Sequence, residues 1–398
     1  MIDPLLLGGI AIACFVAYNI GGATTGPAFG PAVGAGVLTK TTAGVLMSVF
    51  FFLGAFTVGR RVVETLGTGL VRDPAIFTLP ASIVVLFFVG GALLVGNLSG
   101  APASTSMTAV GSIAGLGLAT GQLDAAVVAE ILAWWVLAPV IGFWLAVMIG
   151  RYYYERLDRV VSIERSDGAV LALDRDGPVP RPALGPNTTR QEAVGIAVVI
   201  AIGCVMAFSS GTSNVANAIA PLVGSGAIGM DAGIVIGSVA VAAGAVTIAR
   251  RTMETLGNDI TDLPLTAAIV VALLSSALTI ALSVAGIPAS FVIIATVCIV
   301  GLGWGRSTRR VTIADAVRRS TSPRVSVGAL SSEGAPTVGD PEPGGVEPDE
   351  ARVDDGGVPP RSDLFDPGTT VRVVLMQNVV PILATVGSYL VFALVGPI

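Results

Sequence analysis

The sequence predicts an all-α polytopic membrane protein built as an inverted-topology repeat of two halves. Each half carries about five spans plus one re-entrant or broken segment. Three observations lead there. The residues are 53% hydrophobic and only 12% charged, and the mean hydropathy of +0.83 exceeds what a soluble chain needs. Many separate stretches approach the ~20 apolar residues that cross a bilayer core. Finally, the chain contains itself twice. CFVAYNIGGATTGPAFGPAVGAG from Cys14 aligns with CVMAFSSGTSNVANAIAPLVGSG from Cys204, and the match runs ungapped to RRVVETLG at Arg60 and RRTMETLG at Arg250, always 190 residues apart.

The predicted spans of the first half are 4–22, 42–59, 79–97, 104–120 and 125–149. Those of the second are 192–209, 231–249, 264–285, 289–305 and 372–396. The N-terminal apolar run has no basic leader and passes straight into the first repeat copy, so it reads as a membrane helix, not a cleaved signal. Segments 24–40 and 212–229 are short and studded with Gly and Pro. They are expected to be re-entrant or unwound, which is tolerated at membrane depth only inside protein.

The predicted organisation is a first transmembrane repeat at 1–150, a cytoplasmic loop at 151–190, a second repeat at 191–305, a disordered acidic loop at 306–370 and a last helix at 371–398. The 306–370 segment contains EGAPTVGDPEPGGVEPDEARVDDGGVPP, too poor in apolar residues to build a core. An odd span count inserts the second copy upside down, with a pseudo-two-fold axis in the membrane plane. Arg151, Arg156 and Arg159 open one loop, and Arg306, Arg309 and Arg310 open the other. The positive-inside rule makes that side cytoplasmic, with both termini external to the cell membrane.

Several classes are disfavoured. Cys14, Cys204 and Cys298 lie in apolar spans without CxxC spacing, so neither a disulfide nor a metal site is expected. The chain has no His, so a proton-linked step would need a carboxylate. No nucleophile–base pair or P-loop marks an enzyme, and no cofactor is expected. A net charge of −5, with Arg at membrane boundaries, gives no footprint for nucleic acid.

Chemistry concentrates in duplicated polar breaks. GGATTGPAFGP (Gly21–Pro31) pairs with GTSNVANAIAP (Gly211–Pro221). Hydroxyls, carboxamides and freed carbonyls there suit a hard cation or an oxyanion, and close helix packing is the alternative. GAPASTSMT (Gly100–Thr108) pairs with GIPASFVII (Gly286–Ile294), with the prolines 186 residues apart. Each reads as a Pro-started helix N-terminus, a natural anion site or simply an N-cap. The first is rich in Ser104, Thr105, Ser106 and Thr108, whereas the second keeps only Ser290. The third pair is Glu64 and Glu254, carboxylates beside spans that could bind a cation or take a proton, or pair with the adjacent Arg.

With these residues in view, the chain resembles the inorganic phosphate transporter (PiT) family of sodium- or proton-coupled permeases. Members carry a duplicated G-A/S-N-D-x-A-N-x-x-G-T/P-x-V-G signature and a G-x-P-V-S-T-T-H hairpin motif. The likeness covers about 1–150, 191–305 and the last span, including VGAGVLT (Val33–Thr39), FFLGA (Phe51–Ala55), the ETLG segments and PAS. It implies a cation-coupled symporter of inorganic phosphate. Ser104, Thr105, Ser106 and Ser290 would bind the anion together with Thr24, Thr25, Asn214 and Asn217. Ser213, Thr212, Glu64 and Glu254 would serve cation coupling, with Na+ near Asn214 and Asn217 or H+ on a carboxylate. A homodimer in the lipid bilayer is a further expectation.

The departures fall on the signature. Ala23, Thr24 and Pro27 stand at its Asn, Asp and second Asn in copy one. Ser213 and Asn214 stand at Asn and Asp in copy two, where Asn217 is retained. Met107 and Ile293 occupy the hairpin His positions. Losing both aspartates lowers the charge that would hold a cation. A sulfate or other oxyanion permease of the same fold, or a transport-dead sensor, are the alternatives.

Overall fold

The computed structural model describes residues 3–34, 38–98, 104–161, 171–174, 181–184, 189–247, 265–307 and 367–396. Helix α1 (Pro4–Gly34) is followed by α2 (Lys40–Gly54), a π-helical turn (Ala55–Gly59), α3 (Arg60–Glu64) and a second π-helical turn (Thr65–Gly69). Then come α4 (Leu79–Leu98), α5 (Thr105–Ala119), α6 (Ala125–Tyr152) and α7 (Tyr154–Val161). After the strands β1 (Leu171–Asp174) and β2 (Arg181–Leu184) follow α8 (Arg190–Gly224), α9 (Met230–Thr247), α10 (Leu265–Val284), α11 (Phe291–Ser307) and α12 (Pro367–Val395). Eight helices among the described residues are long and apolar enough to cross a membrane. This is a multi-pass, nearly all-helical membrane protein.

Side-chain caps fix several helix starts. Thr39, Asp124 and Thr189 each accept a hydrogen bond from a first-turn N–H of α2, α6 and α8, satisfying donors that the helix itself cannot.

The helices pack as two interlocked sets. Helix α1 lies against α9 and α2 against α8. Helix α1 also meets α4 as α8 meets α10, and α5 meets α12 as α11 meets α6. Exchanging the halves maps each pairing onto another. Glycines carry the same exchange. A methyl group added at Gly21 would drive into the Val241 carbonyl, and one at Gly211 into the Phe51 carbonyl. Gly54 abuts the Phe208 carbonyl and Gly244 the Tyr18 carbonyl. Every partner differs from its counterpart by the 190-residue offset. In α5 and α11, Gly115 abuts the Thr385 carbonyl and Gly301 the Phe143 carbonyl. The helix-interior prolines Pro139 of α6 and Pro381 of α12 also correspond.

Four expectations change. Segments 24–40 and 212–229 are not unwound within α1 and α8: both helices run on continuously, to Gly34 and Gly224. Gly21 and Gly211, just before these segments, and Gly224 within the second admit neighbouring backbones, and the hydroxyls of Thr24 and Thr25 bond back to the Ile20 and Gly21 carbonyls at 2.8 and 2.7 Å. Arg60–Arg61 does not end the helical run, which continues to Gly69 through the two π-turns. The predicted spans 104–120 and 289–305 are helices of 15 and 17 residues, about 23–26 Å long at ~1.5 Å per residue and short of a ~30 Å core. The 151–190 loop contains α7 and an antiparallel hairpin that pairs Leu171 with Leu184 and Asp174 with Arg181. Most of the predicted disordered loop, 308–366, lies outside the described residues, and 367–370 open α12.

Candidate functional site

Two local structures converge on the middle of α8. The first is the start of α5. Ser104 is its N-cap, in an extended conformation, and its hydroxyl accepts from the Met107 N–H at 3.3 Å. This turns Thr105 and Ser106 of the first helical turn toward α8. The second is the turn after α10. Gly286 has φ +76, and the Ile287 N–H returns to the Leu282 carbonyl at 2.9 Å, a left-handed helix end that glycine adopts without strain. The Trp135 indole N–H donates to the Pro288 carbonyl at 2.7 Å and pins the turn. Ser290 then caps α11 through the Ile293 N–H at 3.5 Å.

Between them lies a hydrogen-bonded cluster. The Thr105 hydroxyl donates to Asn214 Oδ1 at 2.6 Å. Asn217 Nδ2 approaches Thr105 Oγ1 at 3.2 Å, and Ser106 Oγ and Asn214 Oδ1 each at 3.3 Å. Asn214 Nδ2 donates to Ser210 Oγ at 3.0 Å. The Ala289 carbonyl accepts from Ser106 Oγ at 3.0 Å and from Ser213 Oγ at 2.9 Å, while its N–H lies 3.2 Å from Ser213 Oγ. Ser106, Ser213 and Asn217 are fully buried. Every group here is neutral, and among the described residues no set of three or more His, Cys, Asp or Glu could hold a metal ion. Asn217 Oδ1 is buried without a partner, so the cluster keeps one acceptor unused. A neutral set of hydroxyls and carboxamides can donate to an anion through O–H and N–H groups, or present oxygens to a cation.

The structure thus brings together Ser104, Thr105, Ser106, Ser213, Asn214, Asn217 and the turn leading to Ser290. It does not bond Thr24 or Thr25 to this cluster, since both hydroxyls are used within α1. Thr212 bonds sideways to Ser283 Oγ of α10 at 3.0 Å. Glu64 is exposed on α3. Its neighbour Arg60 pairs with Asp231 of α9 and lies over the Phe56 ring, and Arg61 donates to the Val284 carbonyl. Glu254 lies outside the described residues. An apolar pocket lined by Met107, Trp134, Trp135, Pro139 and Ile293 adjoins Ala289 and Ser290.

The cluster is one-sided. At the 190-residue offset Asn214 corresponds to Thr24, Asn217 to Pro27 and Ser213 to Ala23. At the 186-residue offset Thr105 corresponds to Phe291 and Ser106 to Val292. Sequence reasoning missed Ser210 and the Ala289 backbone. It also missed Ser276, Thr279 and Ser283, whose 0, 3, 7 spacing in an apolar run marks one helix face.

A sequence profile described as the phosphate transporter family matches residues 20–326. The chain belongs to that family. Its relatives include the sulfate permease CysP of Bacillus subtilis, 30% identical over 302 residues, covering 76% of this chain and 78% of the relative. A protein provisionally named phosphate permease from Pyrococcus furiosus is 25% identical over 374 residues, covering 78% and 89%. A like-named protein from Chlamydia muridarum is 28% identical over 394 residues, covering 78% and 91%. Among solved structures, a chain titled the sodium-dependent phosphate transporter superposes with a TM-score of 0.62 at 15% identity, covering 98% of this chain and 100% of that one. That likeness speaks for the fold.

Proposed function

We propose that this protein is a secondary permease for a tetrahedral inorganic oxyanion, with phosphate as the first substrate, driven by co-transported Na+ or H+. The observation that carries the reading is the buried neutral cluster where the N-terminus of α5 meets Asn214 and Asn217 of α8. A helix N-terminus favours an anion, and the hydroxyls around it supply further donors. Thr105, Ser106, Asn214 and Asn217 contact the anion. Ser104 and Ser290 hold the two helix starts in place, and Thr24 and Thr25 line the opposing repeat. Ser213, Thr212 and the free Asn217 Oδ1 serve a sodium ion, and Glu64 and Glu254 serve a proton. The halves exchange about a pseudo-two-fold axis in the membrane plane, the large loops face the cytoplasm across the cell membrane, and the protein assembles as a homodimer.

Sulfate is the second reading, favoured by two observations. The relative at 30% identity is named a sulfate permease, and the cluster contains no carboxylate. Phosphate groups carry a pKa of about 6, so inorganic phosphate at neutral pH still presents P–OH and gains from a charged acceptor. Sulfate is fully ionised and needs only donors.

The test is uptake of labelled phosphate and labelled sulfate into proteoliposomes, with sodium and pH gradients varied separately. Saturable phosphate uptake that excess sulfate leaves intact supports the first reading. Sulfate uptake resistant to phosphate supports the second. No uptake of either anion under any gradient refutes transport and leaves the sensor reading.

A further inference from the structure

A second set of buried hydroxyls lies along the α8–α10 seam, apart from the Asn214–Asn217 cluster. Ser209 Oγ of α8 donates to the Ser276 carbonyl of α10 at 3.3 Å. Thr212 Oγ1, which donates to the Ser209 carbonyl at 2.8 Å, lies 3.0 Å from Ser283 Oγ. Ser276, Thr279 and Ser283 occupy one face of α10 by their 0, 3, 7 spacing, and these two contacts show that the face meets α8. Ser209, Thr212, Ser276, Thr279 and Ser283 are all fully buried.

Two of these hydroxyls have no partner: Ser276 Oγ and Thr279 Oγ1. A helical hydroxyl has an easy remedy, a bond back to the preceding turn. The adjacent Ser275 takes it, donating to the Val271 carbonyl at 2.7 Å. Ser276 and Thr279 forgo it in the same helix, although an unmet buried hydroxyl is costly. Packing does not demand hydroxyls here either. The corresponding positions of α4, at the 186-residue offset, are Gly90 and Leu93, and both are buried as well.

We propose that this seam is a monovalent alkali-cation site, with Ser276 Oγ and Thr279 Oγ1 as its open ligands, Ser209 Oγ facing them from α8, and the Thr212–Ser283 pair, about two turns beyond Ser276, closing the far end. The charge class follows from the ligands. All five oxygens are neutral, and ligand charge tunes cation affinity, so a divalent ion would go uncompensated. An anion would find hydroxyls but no N–H or cationic group among them. On α8, Ser209 lies about one turn before Ser213 and Thr212 directly adjoins it, close enough for occupancy to bias the anion cluster through a single helix.

The probe is 22Na+, bound to the purified full-length protein in detergent without any oxyanion, with choline chloride holding ionic strength. Wild type should bind it saturably. Thr279→Val and Ser276→Ala should each weaken binding about tenfold or more, as loss of groups at metal sites commonly does. Thr279→Ser should retain it. Thermal melting gives a second readout. Sodium, but not choline, should raise the wild-type melting temperature by linkage. Thr279→Val should lose that increment while melting in choline no lower than wild type, because it removes an unmet hydroxyl.

The proposal is overturned if wild type shows no sodium-specific binding or shift, the result expected if water alone fills the seam. It is also overturned if the Ser276→Ala/Thr279→Val double variant keeps both, or if Asn217→Ala abolishes sodium binding while Thr279→Val does not. The inference adds to the permease reading, and the two fail separately. Sodium binding is measured without an oxyanion, so it can stand where uptake is absent or fail where sodium-independent uptake is strong.

Discussion

Replacing Gly211 with alanine tests how the two halves are held together. The added carbon would sit 2.8 Å from the Phe51 carbonyl carbon and 2.9 Å from its Cα, with the carbonyl oxygen nearer still. Unstrained carbon–carbon contacts fall at about 3.5–4.0 Å, so on the carbons alone α8 and α2 must part by roughly 0.6–1 Å, and the nearer oxygen demands more. All the obstructing atoms are backbone, and no rotamer change relieves them. Overpacking of this kind costs about 1–3 kcal/mol. Removing a mid-helix glycine returns about 0.5–1 kcal/mol, leaving a net loss of roughly 1–2 kcal/mol. Gly8→Ala is the matched control: it lies in α1 with nothing within 4 Å of the added carbon, so only the gain applies. The shared gain cancels, so the two variants should differ by the overpacking cost, about 1–3 kcal/mol, with Gly8→Ala the more stable. Tryptophan fluorescence during thermal unfolding in detergent reads the order directly. A Gly211→Ala protein that melts at or above the Gly8→Ala protein would refute the close seam.

Other outcomes follow from the same contacts. Gly21→Ala should destabilise as Gly211→Ala does, because the Val241 carbonyl carbon stands 2.9 Å from its added carbon; the double variant, measured by the same melting assay, should come out near additive. Thr105→Val removes the donor to Asn214 Oδ1 and an acceptor of Asn217 Nδ2; at about 0.5–1.5 kcal/mol per bond, substrate KM in proteoliposome uptake should rise roughly 5- to 100-fold. Asn217→Ala should likewise impair uptake, with the protein still eluting as a single species. Asp231→Asn breaks the pair with the partly exposed Arg60; melting should fall by no more than about 1 kcal/mol equivalent, and less at high salt. Glu64→Gln separates the coupling ions: loss of pH-driven uptake with sodium-driven uptake intact assigns the proton to Glu64, and no change under either gradient removes it from coupling.

Much of the fold was legible because its signals are local. Apolar length marks spans, and shared glycines mark the repeat. What a glycine does in a span was not legible. Gly21 and Gly211 read equally as helix breakers or as contact points, and the answer depends on carbonyls at Val241 and Phe51, far away in sequence. The hydroxyls of Thr24 and Thr25 misled for a related reason: a threonine in a helix can satisfy itself on the preceding turn. At the site, the cap at Ser104 and the polar face of α8 were visible in the residue types. The Ala289 carbonyl was not, since a backbone acceptor leaves no mark in the sequence. Ser276 and Thr279 were hidden in an otherwise apolar run, where two hydroxyls barely alter hydropathy.

The exchange of partners across the middle of the chain has a consequence for biogenesis. Helix α1 packs on α9, and α2 on α8, so neither half completes its own interior. While the ribosome makes the next 190 residues separating each copy from its counterpart, at about 5–20 residues per second, the first half waits in the membrane for roughly 10–40 s. During that interval Gly21 and Gly54 lack the Val241 and Phe208 carbonyls that later cover them. A chain that stops after α6 would carry a signal for quality control in those same bare faces. The two halves, made as separate polypeptides, should each be unstable alone and stable together.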